Sequence, residues 1–223
     1  MINTLYLNTF LVSSHMNTYM RHTYNAIANS FDKTRYAQWP CVVRFYEQGA
    51  HGYCIDIGCG NGKNVAPGHG AWYELCDMSD AFIEISSAKH PASGMCQVDA
   101  VKLPYRSNVF DTAISIAVIH HLDTISKRQA FVDEFVRVLK PGGRGLITAW
   151  ARVDTKPQDR NVPWTNTSNN TVTQRYYHMF DAGELESLVR NTGCTFTSEY
   201  ERDNHVVTLL KRSKVRNNSR VTL

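Results

Sequence analysis

One stretch decides the fold of this chain: Tyr53-Cys54-Ile55-Asp56-Ile57-Gly58-Cys59-Gly60-Asn61-Gly62. A short apolar run with an acidic residue near its end opens into a loop with glycine at every second position. Glycine has no Cβ and tolerates positive φ, so such a turn lets a nucleotide-like ligand approach the backbone at the carboxyl edge of a parallel sheet. The stretch therefore predicts a first β-strand followed by a loop that binds a nucleoside cofactor.

The loop departs from the two common phosphate-binding motifs. A dinucleotide fingerprint has glycine at the sixth position, where this chain has Lys63, and a P-loop has Ser or Thr where this chain has Asn64. These departures favour a cofactor with no phosphate to hold, for which S-adenosylmethionine is the candidate. The loop residues predicted to bind it are Asp56, Gly58, Gly60, Asn61 and Gly62.

Three more apolar runs end in acidic or small residues, as the strands of a parallel sheet would. Residues 72–76 lead to Asp77-Met78, whose carboxylate could accept hydrogen bonds from both ribose hydroxyls. Residues 95–98 lead to Asp99-Ala100, which suits an adenine amino group. A fourth run, residues 110–116, includes Ser115 and leads to Val118. We predict that these strand ends complete the cofactor site.

The composition is that of one globular domain. With 223 residues and 43% hydrophobic content, the chain can bury one sizeable core, and it has no apolar run long enough for a membrane span. Residues 1–12 lack Lys and Arg, so we expect residues 1–17 to form a disordered extension rather than a signal peptide. Residues 18–212 would form the domain.

A basic stretch follows the domain, with residues 213–223 as a C-terminal tail. Its basic residues begin at Lys211 and no acidic residue accompanies them. The tail is either solvated or contacts RNA phosphates. The six cysteines form no C-x-x-C pair, which predicts reduced thiols in a cytosolic protein, with the nucleus also open, and neither disulfides nor a metal site.

The alternation of patterns predicts a doubly wound α/β fold. Helices are expected over residues 19–29 and 39–48, and a third would end before Pro141-Gly142-Gly143. A fifth strand is expected over 145–150. Residues 151–174 are rich in Asn and Thr and too long for an ordinary connection, so they form a substrate-side insertion or are disordered.

The C-terminal part predicts one more helix and a closing hairpin. Asp181 and Glu184 have the spacing of a capping box at the start of a helix. Residues 195–201 and 206–211 would form the hairpin, which makes the last strand antiparallel to the rest of the sheet.

Residues 56–63 resemble the first motif of class I, seven-strand S-adenosylmethionine-dependent methyltransferases. Four further blocks resemble the eukaryotic tRNA wobble-uridine carboxymethyl methyltransferases, which include a domain fused to an AlkB-like hydroxylase: Tyr24-Asn25-Ala26-Ile27-Ala28 with Phe31, Lys33-Thr34-Arg35-Tyr36 with Trp39-Pro40, Ser115-Ile116-Ala117-Val118-Ile119-His120-His121, and Arg175-Tyr176-Tyr177-His178-Met179-Phe180 with Gly183-Glu184-Leu185. The resemblance implies esterification of the carboxylate of carboxymethyluridine at the wobble position of tRNA.

The residues themselves favour a carboxylate as the methyl acceptor. Methyltransferases that act on exocyclic amines usually carry Asn/Asp-Pro-Pro-aromatic at the fourth strand end, where this chain has Ser115-Ile116-Ala117-Val118. A carboxylate with a pKa near ~4 is already ionised and needs no general base. Catalysis then requires positioning of the anion and exclusion of water. Cationic or hydrogen-bonding side chains are therefore needed beside the acceptor.

The resemblance places Arg35, Asp99, His120, Trp150, Arg175 and Tyr177 around the substrate. We take Arg35, His120, Arg175 and Tyr177 as catalytic and Tyr36, Trp150, Tyr176 and Asn204 as substrate-binding. Several alternatives stay open. Arg35 could pair with a surface acid, and His120 or His121 could cap the following helix or lie in the core. Trp150 could close the core, and either Tyr176 or Tyr177 could be the pocket wall. The family usually has Asp-x-Asn-Trp near the last hairpin, where this chain has Asp203-Asn204-His205.

The resemblance also implies a partner, a small zinc-binding activator subunit that adds a strand at the edge formed by the third strand. Met95 and Val98 give that edge an apolar character, which suits β-augmentation or a covering loop equally. Two other functions compete: a small-molecule carboxyl or C-methyltransferase, and a non-catalytic S-adenosylmethionine-binding scaffold. Asp56, Asp77 and Asp99 argue against the scaffold.

Overall fold

The glycine loop follows β1 (Tyr53–Ile57), an inner strand of a seven-stranded sheet. In this computed structural model the described residues are 4–49, 51–66, 72–166 and 169–213, with side chains from residue 16 onward. β1 pairs in parallel with β2 (Trp72–Asp77) and with β4 (Phe110–Ile116). β3 (Gly94–Gln97) pairs with β2, and β5 (Leu139–Trp150) pairs with β4, again in parallel.

A C-terminal hairpin completes the sheet. β9 (Asn204–Leu210) lies between β5 and β8 (Thr195–Glu201) and is antiparallel to both. The strand order β3-β2-β1-β4-β5-β9-β8 confirms the predicted doubly wound, seven-strand sheet with an antiparallel last strand. The order reverses between β1 and β4, where the carboxyl ends of the strands leave a crevice for a ligand.

Five helices and one 3₁₀ turn connect the strands in the described part of the chain. The helices are α1 (Thr4–Asp32), α2 (Pro40–Glu47), α3 (Asp80–Lys89), α4 (Ile125–Val138) and α5 (Glu184–Arg190), and the 3₁₀ turn is Ile119–His121. Side chains fix the starts of two of them. Ser79 accepts a hydrogen bond from the Phe82 N–H at the start of α3, and Thr124 accepts one from the Lys127 N–H at the start of α4.

Apolar side chains are buried on both faces of the sheet. On one face Phe131 and Phe135 of α4 pack with Phe110 and Leu139, and on the other Val42 and Phe45 of α2 pack with Leu75 and Ile114, among other residues. Burial on both faces explains why β1 and β4 read as nearly continuous apolar runs rather than as alternating ones. None of the described helices has the length and apolar character needed to cross a bilayer.

The N-terminal region differs from the prediction. Residues 4–17 belong to α1, which begins well before residue 19, so the expectation of a disordered extension is wrong over these residues. Asn17 of this segment donates a hydrogen bond to Asp99 at the end of β3. Residues 1–3 and the tail from residue 214 lie outside the described residues.

The predicted insertion forms a β-hairpin over its described residues. β6 (Asp159–Thr165) pairs antiparallel with β7 (Val172–His178), separately from the main sheet. The hairpin lies against α1, and the Tyr19 hydroxyl donates to the Gln174 carbonyl oxygen at 2.7 Å. Disorder, the alternative that the sequence left open, therefore does not hold for the described residues of this segment.

Two local predictions need correction. The fifth strand begins at Leu139 and not at residue 145, so Gly142 and Gly143 lie inside it, although α4 does end before Pro141 as predicted. The Asp181 carboxylate binds the Arg152 guanidinium at 2.6 and 2.9 Å instead of capping α5. Only half of the capping box forms, with Glu184 accepting from the Asp181 N–H at 3.2 Å.

Lys211 is not part of a solvated basic stretch. Its ammonium group donates to the carbonyl oxygens of Val136 and Leu139 at 2.8 and 2.6 Å, at the end of α4. These carbonyls have no partner within the helix, so the lysine satisfies them and stabilises the helix end.

Candidate active site

A cavity opens at the carboxyl edge of the sheet, between the strand ends, α1 and the β6–β7 hairpin. Thirteen of the predicted site residues line it: Arg35, Gly58, Gly60, Asn61, Asp77, Met78, Asp99, Ala100, Val118, His120, Trp150, Arg175 and Tyr177. Parallel strands bring their carboxyl ends to one edge, which explains why residues far apart in sequence meet here.

The glycine loop presents backbone to this cavity. Gly58 and Gly60 have φ values of 76° and 55°. A Cβ on Gly58 would lie 2.3 Å from the Val118 side chain, whereas one on Gly60 would meet no atom within 4 Å. Because Gly60 lines the cavity, the space that a side chain would fill there is available to a ligand. This arrangement fits a cofactor seated against bare backbone.

Two carboxylates stand at neighbouring strand ends. Asp77, after β2, accepts from the Gly60 N–H at 3.0 Å and from the Ser79 N–H at 2.9 Å. Burial raises the pKa of Asp77, and these backbone donors partly oppose the rise. Asp99, after β3, accepts from Asn17 at 2.6 Å and from the Val101 N–H at 3.1 Å. Both acids retain lone pairs that can accept hydrogen bonds from ribose hydroxyls or an amino group.

Asp56 lies behind the glycine loop and does not line the cavity. Asp56 is 1% exposed, and its carboxylate is buried next to Asn64, whose side chain lowers the pKa of the acid but not enough to offset burial. Burial, and then the negative charge of Asp77, raises the pKa of Asp56 to about 7. The structure therefore gives Asp56 no direct place in the cavity wall, unlike the prediction.

Two guanidinium groups occupy the same cavity. Arg175 of β7 is 6% exposed, and Arg35 follows α1. Among the described residues, no carboxylate lies within ion-pair distance of either arginine, and Nε of Arg175 is buried without a hydrogen-bond acceptor. The alternative in which Arg35 pairs with a surface acid is not what the structure shows. A buried cation without a counter-charge is costly, which favours an anionic ligand at this place.

His120 lies beside these arginines as a neutral imidazole. Burial is the main cause that holds the pKa of His120 well below its usual range, and the neighbouring His121, Arg175 and His178 lower it further. The backbone N–H of Trp150 donates to Nδ1 of His120 at 3.3 Å, which leaves the ring proton on Nε2. The ring stacks on Tyr177 at a centroid distance of 4.7 Å, and Trp150 lies 4.8 Å from the same tyrosine. Three of the predicted residues thus form one wall.

His121, whose role the sequence left open, connects three elements. Its Nδ1 faces the Tyr176 carbonyl oxygen at 2.9 Å, and because a carbonyl can only accept, Nδ1 carries the proton. Nε2 then accepts from the Tyr24 hydroxyl at 2.6 Å. Burial lowers the pKa of His121 to about 4, so the ring is neutral. The histidine ties α1 and the hairpin to the turn after β4.

Six predicted residues lie outside the cavity wall. They are Asp56, Gly62, Ser115, Tyr36, Tyr176 and Asn204. The Ser115 hydroxyl donates to the Ile57 carbonyl at 2.7 Å, and the Asn204 amide donates to the Arg202 carbonyl at 2.7 Å. Tyr36 is 86% exposed, and Tyr176 donates to Asp159 on the far side of the hairpin. The structure thus settles the tyrosine pair: Tyr177 is the pocket wall.

Sequence reasoning missed the residues that cover the cavity. Asn17, Met20, Tyr24 and Phe31 of α1 line it, as do Trp39, Lys63 and Phe82. Tyr24 and Phe31 lie in a block that carries the family resemblance, which was the one available signal. Nothing in the local pattern of a helix says which sheet edge it covers.

A methyltransferase-domain family model matches residues 55–147. The Schizosaccharomyces pombe protein named tRNA (carboxymethyluridine(34)-5-O)-methyltransferase is 34% identical over 219 residues, which cover 84% of this chain and 94% of the relative. An Arabidopsis thaliana protein of the same name is 46% identical over 134 residues, but the match covers 60% of this chain and 33% of that relative.

Solved structures support the fold. The 1,6-didemethyltoxoflavin-N1-methyltransferase of Burkholderia thailandensis, solved with S-adenosylhomocysteine, aligns with a TM-score of 0.68 over 90% of this chain and 91% of that one. Its sequence identity is 18%, so the likeness concerns the fold alone. The yeast relative matches nearly along its whole length and confirms the family that the sequence blocks predicted. The chain belongs to the tRNA (carboxymethyluridine(34)-5-O)-methyltransferase family.

Proposed function

We propose that this protein transfers a methyl group from S-adenosylmethionine to the carboxylate of carboxymethyluridine at the wobble position of tRNA, forming a methyl ester. One observation carries the proposal: Arg35 and Arg175 share a cavity with the predicted cofactor residues, and no described carboxylate neutralises them. The names of the relatives agree with this activity.

S-adenosylmethionine is the cofactor, and when bound it supplies a methyl group on a positively charged sulfur. The residues present fit it: Gly60 leaves open space beside its backbone, and Asp77 and Asp99 offer acceptors at adjacent strand ends. The Asp77 carboxylate also accepts a hydrogen bond from the Gly60 N–H. The same carboxylate therefore stabilises the loop conformation and faces the cavity.

The arginines would hold the acceptor. Opposite unit charges about 4 Å apart attract by roughly 4 kcal/mol at an effective dielectric of 20. The attraction draws an anion to Arg175, whose burial leaves it few water molecules to compete. A carboxylate is already the nucleophile, so no residue has to remove a proton. The neutral His120 and the rings of Tyr177 and Trp150 exclude water and limit where the anion can lie.

Two arginine variants test the proposal. We expect Arg35→Met and Arg175→Met to lower kcat/KM on tRNA with wobble carboxymethyluridine by more than about tenfold, while cofactor affinity changes by less than about twofold. Arg190→Met is the matched control, because Arg190 also lies over an aromatic ring, Phe196 at 5.7 Å, but outside the cavity. Transfer of a labelled methyl group to tRNA with unmodified uridine would contradict the proposal, as would a labelled product that is stable in mild alkali, because a methyl ester is hydrolysed there. Either result would favour a small-molecule or another methyltransferase function.

We further propose a partner at the edge strand β3, a small zinc-binding activator subunit that adds a strand there. β3 pairs with β2 on one side only, and Met95 is one of its partly buried apolar residues. Met95→Lys should reduce co-purification, and Thr197→Lys on the opposite edge strand β8 should not. Val98 lines the cavity and is therefore a poor probe. Full activity of the single purified chain would refute the need for this subunit.

The cellular location is also a proposal. All six cysteines are free, and five of them are buried. This supports a reducing compartment, the cytoplasm or the nucleus.

A further inference from the structure

Trp164 lies directly behind the two arginines, at a place that the sequence did not single out. It belongs to β6, and its indole N–H donates to the Ser30 hydroxyl of α1 at 3.3 Å. Its ring lies 5.5 Å from the Phe31 ring of the same helix. Trp164 is not part of the cavity wall. It is the point where the inserted hairpin meets α1.

Both guanidinium groups rest on this one ring. The guanidinium carbon of Arg35 lies 5.4 Å from the Trp164 ring centroid, and that of Arg175 lies 5.2 Å from it. The face of an indole ring attracts cations and is the strongest such face among the aromatic side chains. No described carboxylate pairs with either arginine, so the ring face stabilises both cations without neutralising their charges.

The two arginines come from different elements, so something must fix their separation. Arg35 follows α1, whereas Arg175 lies on β7, in register with Val162 of β6. Trp164 is attached to both elements, through the Ser30 hydrogen bond and through strand pairing with Thr173. A shift of the ring would therefore move both cations relative to each other.

We propose that Trp164 is a positioning residue that holds Arg35 and Arg175 at the spacing needed to bind one carboxylate of the substrate. The inference rests on the proposed function, because it takes the carboxylate of carboxymethyluridine as the shared ligand. Trp164 itself does not touch the substrate. It acts through the two guanidinium groups that line the cavity.

Three substitutions separate the ring from its hydrogen bond. Trp164→Leu removes both, Trp164→Phe keeps an aromatic face, and Ser30→Ala removes only the hydroxyl acceptor. A fourth replacement, site-specific tetrafluorotryptophan at position 164, keeps the shape and the N–H but weakens the attraction of the ring for cations. This last variant changes the packing much less than Trp164→Leu does, and it covers the case in which Trp164→Leu does not fold.

The measurement is the preference between two anticodon stem-loops, one with carboxymethyluridine and one with unmodified uridine. Both affinities are measured on protein saturated with S-adenosylhomocysteine, so turnover plays no part. We expect the wild type to prefer the modified stem-loop by about tenfold or more, and Trp164→Leu and the fluorinated variant to lose at least about threefold of this preference. Trp164→Phe should keep most of it, and Ser30→Ala should lose less than Trp164→Leu because only one of the two attachments of the ring is removed. The affinity for S-adenosylhomocysteine should stay within about twofold.

Each outcome decides the matter. A preference unchanged in the fluorinated variant would overturn the role of the ring. If Ser30→Ala lost as much as Trp164→Leu while the fluorinated variant kept the preference, the hydrogen bond between β6 and α1, and not the ring, would set the preference. If the wild type shows no preference, the proposed function fails first and the inference with it. A wild-type preference with unaffected Trp164 variants would leave the function standing and remove only this inference.

Discussion

Asp56 offers a direct test of the electrostatics beneath the glycine loop. Burial and the charge of Asp77 raise the pKa of Asp56 from 3.8 to about 7. Between these values the folded protein holds a proton that the unfolded chain has released. The folded state then binds more protons, so stability falls as pH rises through this window, and the penalty is complete above about pH 7.

The size of the effect follows from the shift. One pKa unit corresponds to about 1.4 kcal/mol, so a rise from 3.8 to about 7 gives an upper limit of about 4 kcal/mol. Asp56→Asn removes the ionisation. The free energy of unfolding of the variant, relative to wild type, should increase by up to about 1.4 kcal/mol per pH unit between about pH 4 and 7 and then level off. An unpaired amide would add a constant cost of about 1–3 kcal/mol.

Urea unfolding followed by circular dichroism from pH 4.5 to 8.5 would measure this difference. Asp111→Asn is the control of opposite sign: burial alone would raise the pKa of Asp111, but Lys140 and the Tyr53 N–H lower it below its usual value. That carboxylate stabilises the fold above about pH 4 and loses its effect as pH falls. Asp111→Asn should therefore lower the free energy of unfolding most at neutral pH. If the difference in the free energy of unfolding between the wild type and Asp56→Asn does not vary with pH, Asp56 is not a buried carboxyl that keeps its proton in the folded state.

Three further predictions concern single side chains. Asp77→Asn should weaken S-adenosylmethionine binding at least about tenfold, because the carboxylate faces the cavity and holds the Gly60 N–H; calorimetry with unchanged affinity would remove it from the site. Burial lowers the pKa of His178, but hydrogen bonds to Glu184 and Asp159 raise it above the usual value. Its ion pairs therefore stabilise the fold below about pH 6.5 and fade as pH rises through the folded pKa, so His178→Asn should destabilise the protein more at pH 6 than at pH 9, and equal losses would contradict this. Lys211→Met should lower the free energy of unfolding by about 1–3 kcal/mol, because the carbonyl oxygens of Val136 and Leu139 lose their hydrogen-bond donor. A urea midpoint equal to that of the wild type would contradict this prediction.

The sequence predicted the part of the site that parallel strands impose. Asp77, Asp99 and Gly58 could be placed together because each follows a strand, and parallel strands end at one edge. The choice between Tyr176 and Tyr177 could not be made, because neighbouring residues of a strand point to opposite faces and the insertion gave no register. Only the pairing of Tyr177 with Arg160 in the hairpin fixes which tyrosine faces the cavity.

Contacts across long sequence separations explain the other misses. Asn17 reaches Asp99 over 82 residues, and Trp164 reaches Ser30 over 134. Local periodicity describes the faces of a helix or strand and is silent about the element that packs on them. The incomplete capping box has the same cause. Asp181 has the right spacing to cap α5, but it binds Arg152, which the local sequence does not reveal.

The chemistry of the cavity follows from how its charges are separated. Acidic side chains stand at the ends of β2 and β3, whereas Arg175, His120 and Trp150 come from the opposite side of the β1–β4 crevice. A carboxylate substrate must stay ionised to accept a methyl group, and nearby guanidinium groups lower the pKa of a carboxyl. Burial keeps His120 neutral, so it does not add a further cation that could give a proton to the nucleophile. In the proposed reaction, therefore, Arg35 and Arg175 serve both to bind the anion and to keep it reactive.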